Sequence, residues 1–227
     1  AIQHGEGTLR CGGCAQDYPV IFGIPDLRVF ADPYIDIEAD RAKGRRLKAE
    51  GGHTWEDQVR FYYAITDSVP AAQAAQFATG LRIASARAEA AIATWDALDP
   101  RPVQAARLLD IGCGTAPLLA LSGPRAGTRI GVDIAFRWLV VAQQRLADAG
   151  VTAHLVCACA EALPFHDARF DLVEAQGTLE NVRDQEQAVA EAYRDRPNDV
   201  RETAAKLVAA VRGVDAGRDS GRPLDGA

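Results

Sequence analysis

The chain has 227 residues, 48% of them hydrophobic and 25% charged. That balance fits one large globular domain, or one domain with a small appendage, and excludes wholesale disorder or a fibre. Asp and Glu number 31 against 25 Lys and Arg, a net charge of −6, which disfavours bulk binding to a phosphate backbone. No apolar run approaches the roughly 18–20 residues of a membrane span, and no charged-then-apolar leader opens the chain.

Residues 1–50 differ in texture from the rest. Leu9-Arg10-Cys11-Gly12-Gly13-Cys14 runs into Tyr18-Pro19-Val20-Ile21-Phe22-Gly23-Ile24-Pro25, short β-prone stretches broken by Gly and Pro that predict a small hairpin. Asp40–Lys48 reads as a basic connector, a solvated loop or helix face in preference to a phosphate-binding patch that would suit RNA. Residues 51–100 predict a helical cap. Thr54 caps a first helix with Asp57 at its third position, and Trp55, Val59, Tyr62 and Tyr63 follow at near-helical spacing. Asp67 or Ser68 caps a second helix with Pro70 in its first turn. Phe77, Leu81, Ala84, Ala88, Ile92 and Trp95 make its apolar stripe, with Gly80 read as a close packing point. Asp99-Pro100-Arg101-Pro102 stops it.

Residues 101–227 alternate strand and helix. Apolar runs at Arg107–Ile111, Thr128–Asp133, Thr152–Cys157 and Phe170–Gln176 are separated by helical stretches near 115–122, 135–149 and 184–194. This pattern predicts an α/β fold, a Rossmann-like, doubly wound and mainly parallel sheet. Val200–Val211 carries an Ala-rich helical pattern and no fifth strand is evident. The tail after Gly213 reads as mobile. The five cysteines fall in two loose clusters plus a single one, which is no disulfide framework and points to a reducing cytoplasm. Methionine is absent, so Ala1 is not read as a translation start.

Leu109-Asp110-Ile111-Gly112-Cys113-Gly114-Thr115-Ala116 is the most informative segment. A strand ends, two glycines let the backbone turn tightly, and a helix begins, which places a ligand at the carboxyl end of the sheet. Asp133 closes the next strand about 20 residues past Gly112, the spacing of a ribose-hydroxyl acceptor. A dinucleotide site would want a third glycine at the position of Pro117. Asp110 at the turn instead suits a ligand bearing ammonium and sulfonium charge, S-adenosylmethionine rather than NAD.

Residues 107–193 resemble the cofactor half of the class I S-adenosylmethionine-dependent methyltransferases, especially those acting on small molecules. The matching stretches are Leu109–Thr115, Gly131-Val132-Asp133-Ile134, Ala160-Glu161-Ala162-Leu163-Pro164-Phe165 and Phe170-Asp171-Leu172-Val173. The resemblance implies that Gly112 and Gly114 pass the methionine and ribose, and that Asp110 lies under the amino group. Asp133 would take the ribose hydroxyls, with Ile134 against adenine, Ala160 and Glu161 at its edge, and Gln176 facing the methionine end. Cys159 stands where related chains often place an acid for the adenine amino group, and Asn181 replaces a histidine that serves some relatives as a base. Glu180 and His166 are the nearby candidates for proton handling. Trp55, Tyr62 and Tyr63 either wall the acceptor site or pack the helical core.

Leu9, Cys11, Cys14, Tyr18-Pro19 and Gly23-Ile24-Pro25 resemble a small zinc-ribbon-related module. Cys11 and Cys14 would be two of the four ligands that structural zinc needs, with His4 or His53 as substitutes of untypical spacing. Cys157 and Cys159 read as buried packing. The implied activity is methyl transfer to a small-molecule acceptor, with oxygen or carbon ahead of nitrogen. An rRNA or tRNA acceptor and a non-catalytic cofactor-binding subunit are the alternatives.

Overall fold

A computed structural model describes residues 6–66, 69–98, 106–123 and 126–194. Strands β1 (Gly7–Arg10), β2 (Asp17–Ile21) and β3 (Ile24–Pro25) form an antiparallel sheet. Helices α1 (Ile37–Glu50), α2 (Trp55–Ala64) and α3 (Ala71–Leu98) follow. Then β4 (Arg107–Ile111), α4 (Pro117–Leu121), β5 (Thr128–Asp133), α5 (Phe136–Asp148), β6 (His154–Cys157), β7 (Leu172–Glu174) and α6 (Gln185–Arg194) alternate. The four later strands make a parallel sheet in the order β6-β5-β4-β7. The chain leaves β4 to one side, then crosses to its other side for β7. That reversal beside β4 is where open α/β sheets bind ligands.

Period-two alternation sets the two faces of the sheet. Leu108 joins Leu119, Phe136, Leu139 and Val140 in one apolar cluster, while Leu109, Ile111 and Val132 meet Leu163, Phe170 and Ala188 in another. Helices therefore cover both faces, as the sequence pattern predicts. The expected strands at 107–111 and 128–133 are met in full, whereas the runs from Thr152 and Phe170 pair only over 154–157 and 172–174. Thr54 and Asp57 form the expected capping box of α2. Pro70 sits just ahead of α3, its carbonyl accepting from the Ala74 amide. Its proposed caps Asp67 and Ser68 lie outside the described residues, as do the 200–211 pattern and the tail. Among the described residues no helix is long and apolar enough to cross a membrane.

Two packing expectations are corrected. Gly80 is no close contact, since a Cβ there would meet open space. The close approach is at Gly44 of α1, where a Cβ would lie 2.6 Å from the Phe136 ring of α5. The basic stretch 40–48 is likewise more than a solvated connector. It lies in α1, with Arg45, Arg46 and Lys48 outward but Asp40, Gly44 and Leu47 buried.

Asp40 organises this junction. The N-cap position of α5, Ala135, has no side chain to accept from the first helical amides, which otherwise lack partners. Asp40 supplies one from α1, accepting from Phe136 N at 2.7 Å and Arg137 N at 3.3 Å. The same carboxylate receives Arg28 Nη1 at 2.7 Å and Arg137 Nη1 at 2.8 Å. Arg28 also grips Asp26, and Arg137 reaches Asp32 at 3.1 Å. Each charge in this buried cluster is paired, as burial requires. The N-terminal segment is also tied to the sheet by the backbone, because Leu27 N donates to Cys157 O at 2.7 Å and Asp26 bridges Cys157 in parallel.

Asp40→Ala should lower the unfolding free energy by about 3–5 kcal/mol in urea melts, because it leaves two buried guanidinium groups each short of a carboxylate and removes the cap on the first α5 amides. Glu50→Ala, which breaks the exposed Arg46 pair on the same helix, should cost no more than about 0.5 kcal/mol. Comparable losses in the two variants would contradict the role given to the cluster.

Candidate functional site

The glycine bend after β4 has a backbone that only a sparse set of residues tolerates. Gly112 and Gly114 have φ of 69° and 52°, and Ala116 follows at 55°. These left-handed turns delay α4 to Pro117 and shorten the helix expected from residue 115. At Gly112 a Cβ would also collide with Thr178 Oγ1, which is held over the bend by donating to Ile111 O at 2.8 Å. At Gly114 a Cβ would meet nothing, so there the demand is conformational alone.

Asp133 at the end of β5 ties this bend to the next helix. One carboxylate oxygen accepts from Gly114 N at 2.8 Å and the other from Ala135 N at 2.8 Å. Burial raises its pKa, opposed by these amides and by Arg137, while Asp32 adds to the rise. Each oxygen retains a lone pair for a further donor.

Asp133 edges a cavity of about 580 Å³ at the carboxyl ends of the strands. Gly112, Ile134, Ala160 and Glu161 line it with Asp133. The same cavity is lined by Tyr62 and Tyr63 of α2, Phe77 of α3 and Trp138 of α5. Their rings are in mutual contact, with Tyr62 4.5 Å from Trp138 and Tyr63 6.0 Å from Phe77 between centroids. Burial, then the neighbouring Tyr62, pushes the Tyr63 pKa up to about 12, so its phenol keeps its proton at assay pH.

Several residues singled out in the sequence lie elsewhere. Trp55 starts α2 and stacks under the Arg145 guanidinium at 4.3 Å, a packing role away from the cavity lining. Gln176 is exposed and donates to Arg87 O at 3.3 Å. Glu180 and His166 are exposed and outside the lining, while Asn181 lines it and donates to Gly177 O. Glu161 faces the cavity but also accepts from Arg183 N at 2.7 Å. Asp110 is buried beneath the bend, in register with Glu174. Burial, then Glu174 and Asp133, raises its pKa to about 8.

Cys11 and Cys14 lie on the β1–β2 turn, where backbone amides of Cys14 and Gly13 lower the Cys11 thiol pKa. Among the described residues no three His, Cys, Asp or Glu side chains gather as a metal site, and His4 lies outside them. Cys157 and Cys159 are buried, as their packing role requires. Sequence reasoning missed Asp32 and Arg137, which both line the cavity; neither belongs to a glycine- or strand-end motif.

Comparison with known proteins agrees with this geometry. Residues 109–195 match the model of a methyltransferase domain. The matched segment is similar to the class I, S-adenosylmethionine-dependent methyltransferases that its sequence motifs resemble. The chain is 42% identical over 93 residues to the ubiquinone/menaquinone biosynthesis C-methyltransferase UbiE of Xylella fastidiosa, covering 39% of this chain and 37% of that protein. The UbiE protein of Vibrio vulnificus is 37% identical over 106 residues, 44% of this chain and 40% of that one. The chain thus spans under half the length of the curated relatives it matches. Among solved structures, the YcgJ protein of Bacillus subtilis aligns with 30% identity over 42% of each chain, at a TM-score of 0.40.

The residues present fit the cofactor of that family. Gly112 brings the backbone of the bend to the cavity, where Asp133 presents unused acceptor capacity beside Ile134 and Ala160, while Gly114 and Asp110 lie outside the lining.

Asp110, protonated at neutral pH, binds its proton more tightly folded than unfolded. Stability from this group is therefore fully present below about pH 4 and is lost as pH rises toward about 8, with a slope of up to about 1.4 kcal/mol per pH unit. Asp110→Asn should remove that slope, so wild type should lose stability relative to the variant between pH 5 and 8. Parallel pH profiles would contradict a neutral Asp110. In the same melts Gly112→Ala should cost more than Gly114→Ala, for which left-handed strain alone predicts about 1–2 kcal/mol.

Proposed function

We propose that this protein transfers a methyl group from S-adenosylmethionine to an oxygen or carbon atom of a small aromatic molecule. The observation that carries the reading is that one cavity is lined both by Gly112 and Asp133 and by the Tyr62, Tyr63, Phe77 and Trp138 wall. The cofactor supplies an activated methyl group when bound. What remains for the protein is to hold the acceptor in line and to exclude water. In this reading residues 101–227 hold the cofactor, the helices of 51–100 cap the acceptor, and residues 1–50 close the adenosine end.

Asp133 would receive the ribose hydroxyls, and Ile134 with Ala160 would flank the adenine. Gly112 and Gly114 would let the backbone approach the ribose and methionine, with Asp110 behind them. The aromatic wall offers a planar acceptor apolar contact and ring stacking. A Tyr face can also attract positive charge by its quadrupole. With Tyr63 kept neutral and Glu180 and His166 outside the lining, proton removal has little support here. An acceptor that reacts as a phenolate or as an electron-rich ring carbon needs little.

The basic stretch that suggested an RNA acceptor has its side chains partnered within the chain, several of them at the surface. Arg41 binds Asp26 and Glu38, Lys43 donates to Thr66, Arg45 pairs with Glu6, Arg46 with Glu50, and Lys48 donates to Gln143. Together with the acidic balance this favours a small molecule. Five unpaired thiols support the cytoplasm as the compartment.

Isothermal titration with S-adenosylhomocysteine should show one site. Asp133→Ala should weaken it by about 100-fold, from the loss of two charge-assisted hydrogen bonds. With labelled cofactor and a panel of phenols and quinols, Tyr63→Ala should raise the acceptor KM more than it lowers kcat. No binding to wild type, or transfer to RNA alone, would overturn the proposal.

A further inference from the structure

Besides Asp133 and Glu161, a third carboxylate lines the cavity. It belongs to Asp32, from the segment between β3 and α1 rather than from the parallel sheet. That segment is fastened at several points. Leu27 N donates to Cys157 O, Arg28 Nη1 to Ile134 O at 3.0 Å, and Arg183 Nη2 to Ala31 O at 3.0 Å. The Arg183 guanidinium also lies 4.2 Å from the Phe30 ring centroid. Asp32 is thus presented to the cavity from a pinned backbone, as a strand-end residue would be.

The Asp32 carboxylate is oriented but not saturated. Oδ1 accepts from Tyr34 N at 2.8 Å and Oδ2 from Arg137 Nη2 at 3.1 Å. Two of its four acceptor positions remain. The charge of Asp32 bears on the Asp133 carboxyl, and both acids line the same cavity. Cys159 lies between the lining residues Ala158 and Ala160 but is itself fully buried behind the wall. Its thiol is turned onto Phe30 O, at 3.7 Å, and so fastens the segment that carries Asp32.

We infer that Asp32 is a specificity-determining residue of the cofactor site, a carboxylate from the N-terminal segment that accepts a hydrogen bond from the exocyclic amino group of adenine. The inference rests on the cofactor reading above. A carboxylate there rewards a donor and repels an acceptor, so it separates an adenine from a 6-oxopurine.

The test is titration of the full chain with S-adenosylhomocysteine and with S-inosylhomocysteine, in which the amino group is replaced by oxygen. Wild type should prefer the adenosyl compound by at least about 10-fold. Asp32→Asn, whose amide can donate to the oxo group, and Asp32→Ser should each weaken the adenosyl compound by about 10-fold while binding the inosyl compound no more weakly than wild type does. Equal weakening of both compounds would show that Asp32 only positions Arg137, and would overturn the proposal. So would variants that bind like wild type, or a wild type that does not discriminate, a comparison needing no variant to fold. Wild type binding neither compound would instead remove the cofactor reading itself.

Discussion

The two backbone hydrogen bonds received by Asp133 are the constraint on which the site depends. They join the left-handed bend after β4 to the first turn of α5 through one carboxylate. A loop with three positive φ angles in five residues is not rigid by propensity. Here its shape is set by an acceptor that cannot move without leaving β5. Thr178, anchored on Ile111 O, closes the other side.

Behind this contact the N-terminal segment acts as a brace. Asp40 caps α5 from a helix almost a hundred residues earlier, and Arg28 and Arg137 neutralise it. A buried ion cluster is a poor source of net stability, because desolvation offsets most of the attraction. Its geometry is demanding, however, and the observed placement of α1 against α5 satisfies the charges. The approach at Gly44 and Phe136 agrees with that placement, since a side chain on the glycine would push the helices apart. The same anchoring carries Phe30 and Asp32 to the cavity wall, so the β1–β3 unit and the cofactor end of the sheet form one construction.

Legibility from sequence followed the range of the interactions. The strands at 107–111 and 128–133, the glycine bend and the Thr54–Asp57 box are local patterns, and each was readable. Tyr62 and Tyr63 were readable as wall or core, and the turn of α2 that carries them faces the cavity, whereas Trp55, two turns earlier, packs on Arg145. The misplacement of the close contact at Gly80 has a simple cause. A glycine in an apolar stripe looks the same whether or not a partner lies opposite, and α3 has none there. Asp40 and Asp32 were hidden for the opposite reason. Their partners Phe136 and Arg137 are distant in the chain, so Asp40, an acid in a basic stretch, read as solvated and Asp32 drew no reading.

A crystal of the chain grown with S-adenosylhomocysteine tests the central claim most directly. The ribose is expected within hydrogen-bonding distance of Asp133, with the purine between Ile134 and Ala160. Density for the ligand elsewhere, or an Asp133 carboxylate that stays shared between Gly114 and Ala135 with no ligand contact, would contradict it.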